Sequence, residues 1–310
     1  MTRPFFRKEE KLRLRRSFSR LLHSALIAAS LSFPPAILAT ERIVDLGSAQ
    51  EKPQEISREA LLASLKKADF ILLGELHDNP RHHAGRGALI ADLRPAAVVA
   101  EHLMRGQSAA ADGELLPRLE AGGFEAKGWR WPMHEALFSP VVSAQIPLLG
   151  GNLPKPLVRQ IAREGEAAIP QELAGTLTRF PLPAAAVEQV DRDLITGHCG
   201  QLAPAMLPGL RLAQRVRDGA MAATLAERTE FPAVLVAGNG HVRRDYGVPT
   251  LLAELAPQRS QISIGFIEDG PEIEARLPEL RAQYDVVWIT APAERDDPCL
   301  TLRMPKQVSP

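Results

Sequence analysis

Six short apolar runs set the tightest limit on how this chain can fold. They are "DFILLGE" (69–75), "AAVVAEH" (96–102), "IPLLGGN" (146–152), "AVLVAGNGH" (233–241), "QISIGFIE" (261–268) and "YDVVWIT" (284–290). Several are apolar almost without a break, as strands covered on both faces are. Between most of them the apolar residues return at helical spacing, over Ser57–Ala68 behind an N-cap serine, and over 81–93, 134–144 and 248–255. Strands alternating with helices predict an α/β fold, a mostly parallel sheet flanked by helices. Residues 41–56 are expected to be extended.

Two stretches break the rhythm. Residues 105–140 and 154–230 contain no convincing strand and are rich in Ala, Leu, Arg and Glu at helical spacing. The longest amphipathic segment runs from Leu207 to Arg228. These stretches are expected to be helical insertions that build a smaller helical domain against the sheet, within one α/β domain over 40–310.

The first 39 residues are of another kind. Eight basic residues up to Arg20 precede the charge-free run Leu21–Phe33, and "PPAILAT" follows. A basic segment, a short apolar segment and small residues near Ala39 predict a secretory signal peptide. The run is short for a membrane-spanning anchor. "RRSFSR" (15–20) also fits a twin-arginine export signal. No cysteine lies near the expected cleavage region, so no lipid anchor is predicted there, and the mature protein is expected to be periplasmic or secreted. Beyond residue 39, 29 basic and 35 acidic side chains remain, a net charge of −6 with neutral histidines. Nucleic-acid binders carry the opposite sign, so that class of partner is excluded. Cys199 and Cys299 are the only cysteines. An oxidising compartment permits a bridge between them, and the sequence leaves it open.

In an open parallel sheet, ligands bind where the strands end at their carboxyl termini. Glu75 and His77 follow the first run, Glu101 and His102 the second, Asn152 the third, and "GNGH", ending in His241, the fourth. As an i, i+2 pair on extended chain, Glu75 and His77 point the same way. Asp78, His82 and His83 are expected behind or at the rim of the site. Buried carboxylates need a cation, a proton or hydrogen-bond donors beside them. An oxygen and nitrogen set of this kind suits zinc, manganese or iron, and a spare carboxylate can activate water. There is no Walker P-loop, no GxGxxG, no HExxH and no GxSxG nucleophile elbow.

A second group lies in the helical stretch: "HCG" with His198, then Met206, then "AQRVRD" with Arg217, and Met221. Histidine, cysteine and methionine can ligate haem iron, and arginines can meet propionates. Packing residues and solvated arginines account for the same pattern. "WRW" (129–131) and Phe138 suit either a flat apolar pocket or packing between helices and sheet.

Taken in order, "LLGELHDNPRHH", "AEH", "GGN", "HCG", "AQRVRD" followed by "MA", and "GNGHVRRDYGVP" resemble the ChaN-like haem-binding proteins over roughly residues 57–295. That family lies within the group that also holds Tiki-type metalloproteases and erythromycin-esterase-like enzymes. The resemblance implies an α/β fold with a smaller helical domain and a secreted haem-binding protein of iron uptake, in a known case a dimer with stacked haems. A homodimer partner or an outer-membrane haem or iron uptake component would be its partner. It further implies a tyrosine as axial ligand, for which Tyr246 in the loop after His241 is the first choice, with His198, Met206 and Arg217 as further haem-contacting candidates. In the wider group the corresponding catalytic set is Glu75, His77, Glu101 and His241, with a divalent metal ion as the alternative cofactor. Three readings follow: a haem-binding uptake protein, a metal-dependent hydrolase built on those four residues, or a non-catalytic periplasmic binding module.

Overall fold

The computed structural model describes residues 41–47 and 51–301. The expected signal peptide over 1–39 lies outside them. The chain enters through two short strands, β1 (Arg42–Asp45) and β2 (Gln54–Glu55), as the extended reading of 41–56 anticipates. Helix α1 (Arg58–Leu65) starts at Ser57, whose hydroxyl accepts from the Ala60 amide at 3.2 Å. Strand β3 (Phe70–Leu73) is buried at all four positions. Helix α2 (Pro80–Leu93) opens with Asn79 as N-cap and proline in its first turn, where a missing N–H costs nothing.

The remaining strands are β4 (Ala97–Met104), β5 (Leu148–Asn152), β6 (Ala233–Val236), β7 (Gln261–Glu268) and β8 (Val286–Thr290). All six predicted runs are therefore strands. Their order in the sheet is β2-β1-β8-β7-β3-β6-β4-β5. From β8 to β5 every pairing is parallel, and only β1 runs antiparallel to its neighbours β8 and β2. The chain builds outward from β3 to β4 and β5, then returns to insert β6 beside β3. It then crosses to β7 on the other side, so the topology reverses at β3.

Side-chain alternation divides the core. Ile71, Leu73, Val98, Ala100, Val234 and Val236 face one side with α1, α2, α3 (Leu115–Ala121) and α4 (Glu135–Ser143). Phe70, Leu72, Val99, Ala233 and Leu235 face the other. That second side is covered by α8 (Leu207–Ala226), α9 (Val248–Leu255) and α10 (Ile273–Leu280), numbered after α5 (Lys155–Glu164), α6 (Gln171–Arg179) and α7 (Ala184–Gly197). Helices α5 and α6 pack on the outer face of α8 through Ile161, Leu173, Ala213 and Val216. The two helical insertions thus lie on opposite faces of the sheet. The first joins the main core through Leu119, Phe124 and Phe138, and the second adds the outer layer. Each fully buried Leu or Phe here contributes about 1.5–3 kcal/mol.

Cys199, just after α7, and Cys299, in α11 (Pro298–Thr301), form a disulfide that joins chain positions 100 residues apart. The bridge answers the question that the sequence leaves open. It fastens a terminal segment whose residues 294–300 are exposed. Reduction is therefore expected to open the chain beyond Arg295 to proteinase K while the core still melts cooperatively. Fragment masses from digestion with and without reductant check this. No helix among the described residues is long and apolar enough to cross a membrane.

Candidate functional site

Strands β3, β4 and β6 end side by side, and each delivers part of one polar centre. A register shift in the β4–β5 pairing between Ala100 and Met104 spans Glu101 and His102. Irregularities of this kind re-aim side chains at strand ends. As neighbours on a strand, Glu101 and His102 lie on opposite faces, and the centre accordingly has two halves.

On the α2–α4 face, Glu75 is buried and gathers basic side chains. Its Oε1 lies 2.6 Å from His77 Nδ1, 3.2 Å from His102 Nε2 and 3.6 Å from His134 Nε2. Its Oε2 lies 2.9 Å from His83 Nδ1 and touches the guanidinium of the fully buried Arg86. His82, His83 and Arg86 come from α2, where spacings of three and four residues stack them on one face. His82 Nδ1 accepts from the Leu76 amide at 3.0 Å, and its Nε2–H donates to Thr290 Oγ1 at 3.1 Å. His83 Nε2–H donates to the His77 carbonyl, leaving Nδ1 to accept from Arg86. Both rings use one nitrogen as donor and one as acceptor, the pattern of neutral imidazole. Burial lowers the pKa of each to about 4 and that of His134 to about 2, and it lowers that of Arg86 to about 9.

On the α8 face, Glu101 Oε2 accepts from the Gly238 amide at 2.7 Å, and Oε1 meets the Arg217 guanidinium and lies 3.5 Å from His241 Nε2. His241 Nδ1 lies 2.5 Å from Asp218 Oδ1. Burial would raise the Glu101 carboxyl, yet His241, Arg217 and His77 outweigh it and hold the group well below the usual carboxylate range. Burial likewise opposes charge on His241, but Glu101 and Asp218 on either side raise its pKa. Asn152 steadies this half, donating to the Glu101 carbonyl at 2.8 Å and accepting from Arg217 Nε at 3.0 Å. Gln214, Arg217 and Asp218 share one face of α8.

His77 joins the halves. Its Nδ1 meets Glu75, and its Nε2 lies 3.9 Å from Glu101 Oε2. Its side chain is 47% exposed while both carboxylates are buried. Two glycines permit the close approach. A Cβ at Gly74 would stand 2.1 Å from Asn239 Oδ1, and one at Gly238 would stand 2.8 Å from His77 Nε2. His77 opens into a cleft of about 280 Å³ lined by Asp78, Gly128, Trp129, Arg130 and His134. The Trp129 ring lies 5.3 Å from that of His77 and 4.3 Å from that of His102.

Glu75, His77, Glu101 and His241, anticipated from sequence, therefore meet as a connected chain of contacts. Asp78 lies at the cleft, whereas His82 and His83, expected behind or at the rim, are wholly buried behind Glu75. Trp129 walls the cleft, but Trp131 packs on Phe124 and Phe138 is core. Sequence reasoning missed His134, Arg86 and Asp218. His134 follows an irregular segment without periodicity, and Asp218 reads as one acid of a helix. The spacing Gln214-Arg217-Asp218 was the available signal for the α8 face.

The haem candidates fall elsewhere. Tyr246 is buried, and its hydroxyl donates to Asp193 at 2.8 Å. Burial raises its pKa, outweighing Arg243. His198 caps α7 with Nδ1 on the Leu194 carbonyl at 2.7 Å, and Met206 sits partly buried in a short turn before α8. Arg217 is committed to Glu101 and Asn152. Met221 is core.

ChaN of Campylobacter jejuni, solved with cofacially bound haem, superimposes with a TM-score of 0.63 at 21% identity, covering 80% of this chain and 96% of that one. A type III effector (TM-score 0.40, 12% identity, 84% and 99% covered) and an erythromycin esterase mutant in its open conformation (0.39, 17%, 83% and 84%) match more weakly. No curated protein matches. A family model described as haem-binding uptake, Tiki superfamily, ChaN matches residues 61–252, from α1 through α9, and so spans every strand that supplies the site. The chain belongs to this ChaN family of haem-binding uptake proteins, within the Tiki superfamily.

Proposed function

We propose that this protein binds haem in the periplasm or another secreted compartment and serves haem or iron uptake, with a second copy or an outer-membrane uptake component as partner. The observation that carries the reading is the family match over residues 61–252. The basic and apolar segments before residue 39 support export, and the Cys199–Cys299 bridge suits an oxidising compartment.

The cleft fits one edge of a flat, acidic, aromatic ligand. Haem would supply an iron that takes a nitrogen donor, together with two carboxylates. His77 provides an exposed imidazole, the Trp129 ring an apolar wall, and Arg130 a cation at the rim. Arg130 is held at φ 51°, a left-handed conformation that a non-glycine residue adopts only at a cost. Haemin titrated into the full chain is expected to give a saturable Soret shift, weakened about tenfold or more by His77→Ala and by Trp129→Ala. A titration identical to haemin in buffer would defeat the reading.

A second reading, hydrolysis, draws on one observation: an exposed imidazole bridges two buried carboxylates. Turnover in peptide and ester panels with added Mn²⁺, Zn²⁺ or Co²⁺ tests it. Loss of that turnover in Glu101→Gln would support it, and silence across the panels would remove it.

A further inference from the structure

His134 carries a lone pair that nothing satisfies. Its Nδ1 lies 2.9 Å from the Trp129 carbonyl oxygen, which can only accept, so Nδ1 bears the hydrogen. The ring is buried among His83, His102 and Trp129. Nε2 is then bare, fully buried and without a hydrogen-bond partner. It faces Glu75 Oε1, itself an acceptor, at 3.6 Å. Two lone pairs confronting each other away from water repel unless a positive centre lies between them.

His77 Nδ1 and His102 Nε2 converge on the same oxygen. One ligand atom from each of Glu75, His77, His102 and His134 lies within 4.8 Å of the others. Hydrogen bonds to Glu75 place His77 Nδ1 and His102 Nε2 but not His134 Nε2, and His102 Nδ1 is likewise buried without a partner.

We propose that Glu75, His77, His102 and His134 form a binding site for one divalent transition-metal ion. Three imidazoles and one carboxylate make a set of the zinc type and suit calcium or magnesium poorly. Two outer contacts are in place. The Nδ1–H of His134 is tied to a backbone carbonyl, as metal-binding histidines usually are, and Glu75 Oε2 contacts Arg86. His77 is the member open to the cleft, so the site communicates with whatever ligand the cleft takes.

This is not the set that the sequence suggests. Glu101 and His241 are met by Arg217 and Asp218 on the opposite face of the sheet. The metal set keeps Glu75 and His77 but takes His102 from β4 and His134 from the segment before α4 in place of Glu101 and His241.

The test uses the chelator-dialysed full chain. Co²⁺ titration is expected to give one equivalent bound, with the visible absorption of a four-coordinate ion, and Zn²⁺ is expected to displace it. His134→Ala and the size-preserving His134→Gln should each weaken Co²⁺ binding at least tenfold, with far-ultraviolet dichroism and melting showing the apo variants folded. His241→Gln should retain wild-type Co²⁺ affinity. Absence of stoichiometric Co²⁺ or Zn²⁺ binding by the wild-type chain would overturn the assignment. So would undiminished binding by a folded His134→Gln, or loss of binding in His241→Gln instead. The haemin titration is read separately, so failure of the metal site and failure of haem binding are distinguishable.

Discussion

Replacing Arg86 by alanine is expected to lower the unfolding free energy by about 3–5 kcal/mol, among the largest single-residue effects in the molecule. Arg86 is fully buried and its guanidinium contacts Glu75 Oε2, while its other donors reach the His82 carbonyl and His83 Nδ1. Removing it strands a carboxylate in a pocket that water does not reach and leaves a cavity beneath α2. The pair need not stabilise the fold relative to an apolar pair of the same shape, because burying both charges is itself costly. The discriminating measurement is urea unfolding of Arg86→Ala, Glu75→Gln and the double variant. If Glu75 depends on Arg86, the double variant is less destabilised than the two single losses added together. A loss below about 1 kcal/mol in Arg86→Ala would mean that His77 and His102 satisfy Glu75 without it.

Acidification is the second large effect. His82 and His83 have folded pKa values of about 4, lowered by burial from an ordinary 6.5. A depressed histidine binds fewer protons folded than unfolded between those two values. Its contribution is therefore complete above pH 6.5 and is lost as pH falls towards 4. The loss is on the order of 3 kcal/mol per ring at pH 4. Burial and hydrogen bonding supply the cause. Protonating His82 Nδ1 sets an N–H against the Leu76 amide, and burial opposes charge on His83. Urea unfolding at steps from pH 7.5 to 4.5 is expected to show midpoints falling steadily below pH 6.5. His82→Gln should flatten part of that slope. An unchanged midpoint over this range would refute neutral burial of these rings.

The strands and most helices were legible because their cause is local. A parallel strand covered on both faces must be nearly continuous in apolar residues, and several of the six runs obey that requirement. The start of α1 at Ser57 followed from backbone amides that only particular side chains satisfy. Convergence at the carboxyl ends was legible for the same reason: Glu75, His77, Glu101 and His241 each sit just at or beyond the end of an apolar run.

Strand order was not legible. β6 lies between β3 and β4, although three strand-length runs look equally able to occupy that place. Interchangeable apolar surfaces carry no local mark of their neighbours. Tyr246 illustrates the other limit. It stood out in sequence as one of two tyrosines beside a glycine-rich loop, but only the packing of α7 brings Asp193 against its hydroxyl and closes it off.

By itself, then, the sequence determined the alternation of strand and helix, the family, and the strand ends that carry chemistry. The reason is that hydrophobic period and capping act over a few residues. The tertiary structure alone decided that Glu101 and His102 serve separate halves of the site, and that His77 joins them. It also decided that His134, arriving from an irregular segment, points a bare nitrogen at Glu75. Those relations depend on which faces meet across the sheet, and burial converts each such meeting into a charge, a tautomer or a vacant lone pair.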